Sequence, residues 1–214
     1  MEHLPLKKNA KFETSEGFIL VGGASRRMGT DKSQLRLNDQ SFVTRIASAL
    51  SPVTTKVTLV GRESRDTGSN LPQIQDIQKN LGALGGIHTA LSACGEIWSA
   101  VVACDMPLVT AELFTYLASL RDDYQAVVPI QSDSRPQPLC AMYKVAPCLK
   151  EAERLIRAGE RRPLTLIQCV GTRWVPFSEL LHLKDAERLL MNVNTPQDFA
   201  LAQDKIQSTS AFSQ

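Results

Sequence analysis

Aromatic residues are scarce, 6% of 214, which argues against a surface built to stack bases. An excess of one charge is missing too. Lys and Arg total 24 against 22 Asp and Glu, a formal charge of +2, so no global field marks a partner such as nucleic acid or a membrane surface. No apolar run approaches the ~18 residues of a membrane helix. The opening MEHLPLKKNAKFETSEG mixes acids with its bases and has no apolar segment of the secretory kind. Histidine is confined to His3, His88 and His182, and GxSxG does not occur, so a Ser–His or Cys–His relay has little to draw on. The five cysteines (Cys94, Cys104, Cys140, Cys148, Cys169) are odd in number and form no CxxC pair. That excludes zinc-finger spacing and reads as free thiols of a cytoplasmic protein.

What is present is an ordinary globular composition, 43% hydrophobic and 21% charged, long enough to bury a core without metals or disulfides. Short apolar runs alternate with helix-period segments, the pattern of a parallel sheet flanked by helices. Strands are expected at 17–22, 56–60, 73–75, 98–104, 125–130, 138–144 and 172–177. Ser41 is expected to open a helix, and Thr110 and Thr195 to cap helices, the last with Pro196 at its first position. Another helix follows Val145 and stops at Gly159. A further helix is expected from about Ile87 to Cys94, with NLGALGG as the loop before it. The chain reads as one α/β domain over 17–205, with a polar arm at 1–16 and a frayed tail at 206–214.

In such sheets ligands bind outside the carboxyl ends of parallel strands, and three strand ends carry suggestive sequence. The first is GGASRRMGTDK. Gly22 and Gly23 admit a close backbone approach, and successive N–H groups there can form an anion nest. Arg26, Arg27, Lys32 and Arg36 against Asp31 suit phosphate, although the segment fits neither a P-loop nor GxGxxG. The second is Asp76, followed by Gly82, Gly85 and Gly86, where the glycines either close over a flat base or allow tight helix packing. The third is CDMP, where Asp105 either shares Mg²⁺ with a phosphate or caps a helix. Late in the chain, Asn192 and Asn194 in NVNTPQD sit two apart and face one side if extended. They could grip phosphate oxygens or a metal-bound water, or only shape a turn. Arg135, Gln137, Arg161 and Arg162 could hold a second anion, or Arg161 and Arg162 could simply solvate a helix end. His88 reads as a packed or surface histidine.

Taken in order, ILVGGASRRMGTDK, IQD with GALGG, CDMP, RPQPLCAMY, GERRP and NVNTPQD resemble the molybdenum cofactor guanylyltransferase family from residue 17 to about 202. The resemblance implies a three-layer, Rossmann-like nucleotidyltransferase fold with a mostly parallel central sheet and helices on both faces. It implies transfer of GMP from GTP to the terminal phosphate of molybdopterin, with release of pyrophosphate and with Mg²⁺ as cofactor. Leu20, Val21, Gly22 and Gly23 would cradle the nucleotide through their backbone. Lys32, with Arg27, would neutralise the triphosphate. Asp76 and Asp105 would lie on the nucleotide side, Asp105 holding the metal. Asn192, Asn194, Arg135, Arg161 and Arg162 would face the pterin phosphate. Implied partners are the cofactor-synthesis enzymes and the recipient molybdoenzymes.

The chain departs from the family pattern in places. Val21 replaces alanine, Ala83 and Gly85 replace the proline and alanine of GPLAG, and Gly61 stands where some members carry asparagine, leaving a backbone contact there. The second glycine of LVGG favours guanine over cytosine. A cytidylyl- or sugar-nucleotidyltransferase of the same fold, and a nucleotide-binding cofactor chaperone without turnover, are the alternatives.

Overall fold

The computed structural model describes residues 14–21, 35–61, 69–78 and 80–210. A seven-stranded sheet organises them, in the order β5-β4-β1-β6-β8-β7-β9. Its members are β1 (Ser15–Leu20), β4 (Val57–Gly61), β5 (Gln73–Gln75), β6 (Trp98–Ala103), β7 (Ala126–Pro129), β8 (Cys140–Lys144) and β9 (Thr172–Val175). Every neighbouring pair is parallel except the two made by β8, so β8 alone runs against the rest. A separate hairpin joins β2 (Arg36–Leu37) to β3 (Gln40–Ser41). The left-handed Asn38 and Asp39, φ 47° and 63°, make the two-residue turn whose twist suits a hairpin.

Strand alternation sends side chains to both faces. On one face Ile19, Leu59, Ala100, Val102 and Val127 pack against α1 (Phe42–Leu50) and α3 (Ala111–Ser119) through Ile46, Leu50, Phe114 and Leu117. On the other, Phe18, Leu20, Val60, Val101 and Tyr143 meet α2 (Gly82–Ala93), α4 (Val145–Arg157) and α5 (Pro163–Cys169) through Leu84, Ile87, Ala152 and Leu166. A smaller cluster of Leu37, Phe42, Leu108, Val193 and Ala202 joins the hairpin to α8 (Pro196–Ser210). The short helices α6 (Phe177–Leu180) and α7 (Ala186–Leu189) lie between β9 and α8. This is the expected three-layer, mostly parallel arrangement.

The helix ends follow local chemistry. Ser41 Oγ accepts the Thr44 N–H at 3.1 Å, and Thr110 Oγ1 that of Leu113 at 3.3 Å. Gly159 at φ +82° ends α4, with the Gly159 N–H on the Ile156 carbonyl and the Glu160 N–H on that of Leu155. That is a Schellman closure, which a glycine at this position permits. Thr195 accepts the Asp198 N–H at 3.1 Å, while Asp198 accepts those of Asn194 and Thr195 at 2.9 and 2.8 Å, a reciprocal capping box.

Three expectations shift. The first strand begins at Ser15, with Ser15 and Glu16 buried, so two residues assigned to the polar arm belong to the sheet. Glu16 is kept there by Lys56 at 3.2 Å and the Gly95 N–H at 3.3 Å. The last helix runs on to Ser210. NLGALGG is not a loop up to Ile87: α2 starts at Gly82. Its glycines permit tight packing, because a Cβ on Gly86 would stand 3.2 Å from a Leu20 methyl. α5 was not foreseen, although Pro163 at its first position is a start signal.

Candidate active site

The strand order reverses between β1 and β6: the chain leaves β1 for β4 on one side, and β6 lies on the other. A crevice opens outside the carboxyl ends at such a switch point. Leu20 pairs with Val60 on one side and Ala103 on the other. Beyond the strands, the Val21 N–H donates to the Val60 carbonyl at 2.8 Å, Cys104 to Leu20 at 3.1 Å and Asp76 to Gly61 at 3.2 Å. Leu20, Val21, Gly61, Asp76 and Asp105 therefore lie along one stitched edge, as their positions in sequence suggested.

Asp105 occupies the turn after β6, closed by the Met106 N–H on the Ala103 carbonyl at 3.2 Å. The cap of α3 is Thr110 and not Asp105. Capping of that helix is therefore not the role of Asp105. From α1, Arg45 Nε braces the same turn by donating to the Pro107 carbonyl at 3.2 Å.

Residues 192–194 reach this turn from the far end of the chain. The Val193 N–H donates to the Asp105 carbonyl at 2.7 Å, and the Val193 side chain is fully buried. Asn192 Oδ1, next along the chain, is buried with no hydrogen-bond partner among the described residues, an oxygen acceptor beside a carboxylate turn. The 130–136 turn between β7 and β8 closes the flank, with Gln131 Nε2 donating to the Leu190 carbonyl at 2.6 Å. Arg135 sits in that turn, where its guanidinium is held by Asp133 at 2.5 Å and lies 75% exposed. The pair pushes the Asp133 carboxyl below its usual value and the arginine above its own.

On the opposite face of the sheet, Arg161 and Arg162 come to the start of α2. A Cβ on Gly82, at φ +61°, would lie 3.9 Å from the Arg161 carbonyl. Among the described residues no side chain caps α2, and no acid sits in its first turn, so that turn itself does nothing to offset the positive end of its dipole. Glu160, the acid of GERRP, organises this corner. It accepts the backbone N–H groups of Arg161 and Arg162 at 2.8 and 3.0 Å, the Thr165 hydroxyl at 2.8 Å and the Arg162 guanidinium at 2.8 Å. These donors hold its carboxyl far below the ordinary range. Arg162 is thus committed to Glu160, whereas the exposed Arg161 guanidinium has no partner among the described residues. The acid before two arginines in GERRP was the signal available.

Gly22, Gly23, Arg26, Arg27, Asp31 and Lys32 lie outside the described residues. Arg36, counted with them from sequence, belongs instead to the hairpin, where its guanidinium donates to the Asp39 carbonyl. Among the described residues no group of three or more His, Cys, Asp or Glu gathers to hold a metal, and no helix is long and apolar enough to cross a membrane.

The pattern of the MobA-like NTP transferase domain matches residues 17–171. The chain belongs to this family. It is 34% identical over 187 residues to a probable molybdenum cofactor guanylyltransferase of Pelotomaculum thermopropionicum, covering 87% of this chain and 90% of that one. A protein of the same description from Chloroflexus aggregans is also 34% identical, covering 91% and 96%. The crystal structure of molybdopterin-guanine dinucleotide biosynthesis protein A from Archaeoglobus fulgidus superposes with a TM-score of 0.76 at 26% identity, covering 90% of this chain and 99% of that one. As a MobA-like NTP transferase, the chain is a nucleotidyltransferase enzyme. The described strand ends from Leu20 to Asp105 all fall inside the family match, while Asn192 and Asn194 lie beyond it.

Proposed function

We propose that the chain transfers GMP from GTP to the terminal phosphate of molybdopterin, giving the guanine dinucleotide form of the cofactor and pyrophosphate. One observation carries this reading: Val193 docks on the Asp105 carbonyl, which brings NVNTP to the turn where the nucleotide side of the edge ends. That contact supports a donor site on β1, β4 and β5 next to an acceptor site on the late segment. Guanylyl relatives at 34% identity support GTP over CTP, in line with the second glycine of LVGG.

The chemistry needs placement and charge neutralisation more than a nucleophilic side chain. A phosphate oxygen of molybdopterin forms a bond to the α-phosphorus of GTP. The bond from that phosphorus to the α–β bridging oxygen breaks, and pyrophosphate departs with the electron pair. The attacking phosphate is already an anion near neutral pH, so the scarcity of histidine costs nothing. Leu20, Val21, Gly22, Gly23 and Gly61 hold the nucleoside through their backbone, with Asp76 beside it. Lys32 and Arg27 balance the triphosphate. Asn192 and Asn194 meet the pterin phosphate from the Asp105 turn, Arg161 reaches across the strand ends toward it from the start of α2, and Arg135 and Arg162 lie at the rim.

The residues suit Mg²⁺. Asp105 offers a half-buried carboxylate, and Asn192 Oδ1, without a partner among the described residues, is an oxygen donor nearby in the same docked segment. A hard ion that keeps most of its shell for water and phosphate needs few protein ligands. When bound, it supplies positive charge shared by Asp105 and the phosphate oxygens. Work in the cytoplasm, with transient contacts to cofactor-synthesis enzymes and recipient molybdoenzymes, completes the proposal, and five free cysteines fit that compartment. The test is pyrophosphate release with molybdopterin and Mg²⁺, from GTP and from CTP, in the wild type and in Asp105→Ala. Release from GTP that Asp105→Ala abolishes is the expected result. Release from CTP alone overturns the base assignment, and undiminished release in the variant overturns the role of Asp105.

A further inference from the structure

We propose that Thr89 is a positioning residue for nucleotide binding, acting through Asp76; the inference rests on the reading that Asp76 faces the nucleotide. Thr89 lies in the middle of α2, 1% exposed, and its Oγ1 accepts the Ile77 N–H at 3.0 Å. The preceding N–H, that of Asp76, goes to the Gly61 carbonyl at 3.2 Å. Asp76 thus stands between two tethers on different elements, β4 on one side and α2 on the other.

The second tether matters because of where Asp76 sits. β5 has three residues and forms the edge of the sheet, with β4 as its only neighbour among the described residues. Short, singly paired edges open at low free energy. Beyond Asp76 the Ile77 side chain is 56% exposed, so apolar burial does not anchor the turn. Asn80 and Gly82, both at positive φ, then swing the chain into α2. A buried hydroxyl that receives the first N–H after Asp76 holds the carboxylate's backbone against the same helix whose glycine packs on Leu20. Strand end, acid and helix start become one unit.

Thr89→Val keeps the shape of the side chain and removes the acceptor, whereas Thr89→Ser restores it. The expected result for Thr89→Val is a rise of about tenfold in KM for GTP, the loss of one well-placed hydrogen bond, with kcat and the KM for molybdopterin within about twofold of wild type. Thr89→Ser should match the wild type, which a role in packing alone would not produce. Asp76→Ala, assayed in parallel, separates the two claims. If it raises the KM for GTP while Thr89→Val does not, the positioning role is wrong and the reading of Asp76 survives. If Asp76→Ala leaves the KM unchanged, both fall. Should Thr89→Val not fold, amide hydrogen exchange on the wild-type protein decides: the Ile77 N–H is expected to be protected, and exchange at the rate of an unbonded amide overturns the proposal.

Discussion

Gly85→Ala is the substitution that family comparison would recommend and the structure warns against. The family pattern GPLAG has alanine at this position, and Ala in place of Gly inside a helix is worth about 1 kcal/mol. In this chain a Cβ on Gly85 would stand 2.6 Å from the Cβ of Leu81, about 1 Å inside the distance at which carbon atoms attract. Leu81 Cβ cannot rotate away, so the backbone at the start of α2 has to move. Overpacking of this kind costs about 1–3 kcal/mol, and a contact this short belongs at the upper end. The clash wins, leaving a net destabilisation of about 2 kcal/mol, or a Tm lowered by about 4–8 °C for a domain of this size. Leu81→Ala in the same chain should bring no relief, since it leaves the offending atom in place. Gly86→Ala is the contrast: its Cβ would meet a Leu20 methyl at 3.2 Å, and the end of a side chain can yield by a few tenths of an ångström. Thermal unfolding with and without GTP measures all three. A Tm for Gly85→Ala equal to or above that of the wild type would refute the close seating of Leu81 under α2.

Arg161→Ala should raise the KM for molybdopterin about tenfold, as loss of a charge-assisted contact does, and Arg162→Ala less, because Arg162 already serves Glu160. Steady-state kinetics with GTP saturating checks the order, and the reverse order would contradict the assignment. His88 on α2 is 7% exposed, and its Nδ1 has no partner among the described residues. Burial holds its pKa below the 6.5 of an ordinary imidazole, against the opposing pull of Glu153 on α4. The unfolded chain therefore takes up a proton before the folded one does. The stability His88 permits is complete above pH 6.5 and declines as pH falls from there through its lower native value. Denaturant melts at several pH values should show that slope in the wild type and a shallower one in His88→Leu. Parallel profiles would refute it.

The strands and most of the helices were legible because their signals are local. Buried β6 reads as an apolar run interrupted only by Ser99, and Ser41, Thr110 and Thr195 announce their helices. The start of α2 was misread because glycines are poor helix formers, and the packing of Gly86 on Leu20 that favours a helix there is a tertiary contact. The β2–β3 hairpin was missed although Asn38 and Asp39 are suited to its turn. At the site, Asp76 and Asp105 were found by their place after strands. That NVNTP docks on the Asp105 turn has no local signal, since it depends on Val193 finding the cluster of Leu37, Phe42 and Leu108. Likewise, which arginine is available depends on Glu160 and Asp133, and charge counting along the sequence does not distinguish a paired guanidinium from one without a partner.

The most direct measurement is the mass of the pterin product after incubation with GTP and Mg²⁺. Molybdopterin is expected to gain one GMP unit for each pyrophosphate released. Pyrophosphate release with an unmodified pterin, or a product carrying CMP when both nucleotides are offered, would contradict it.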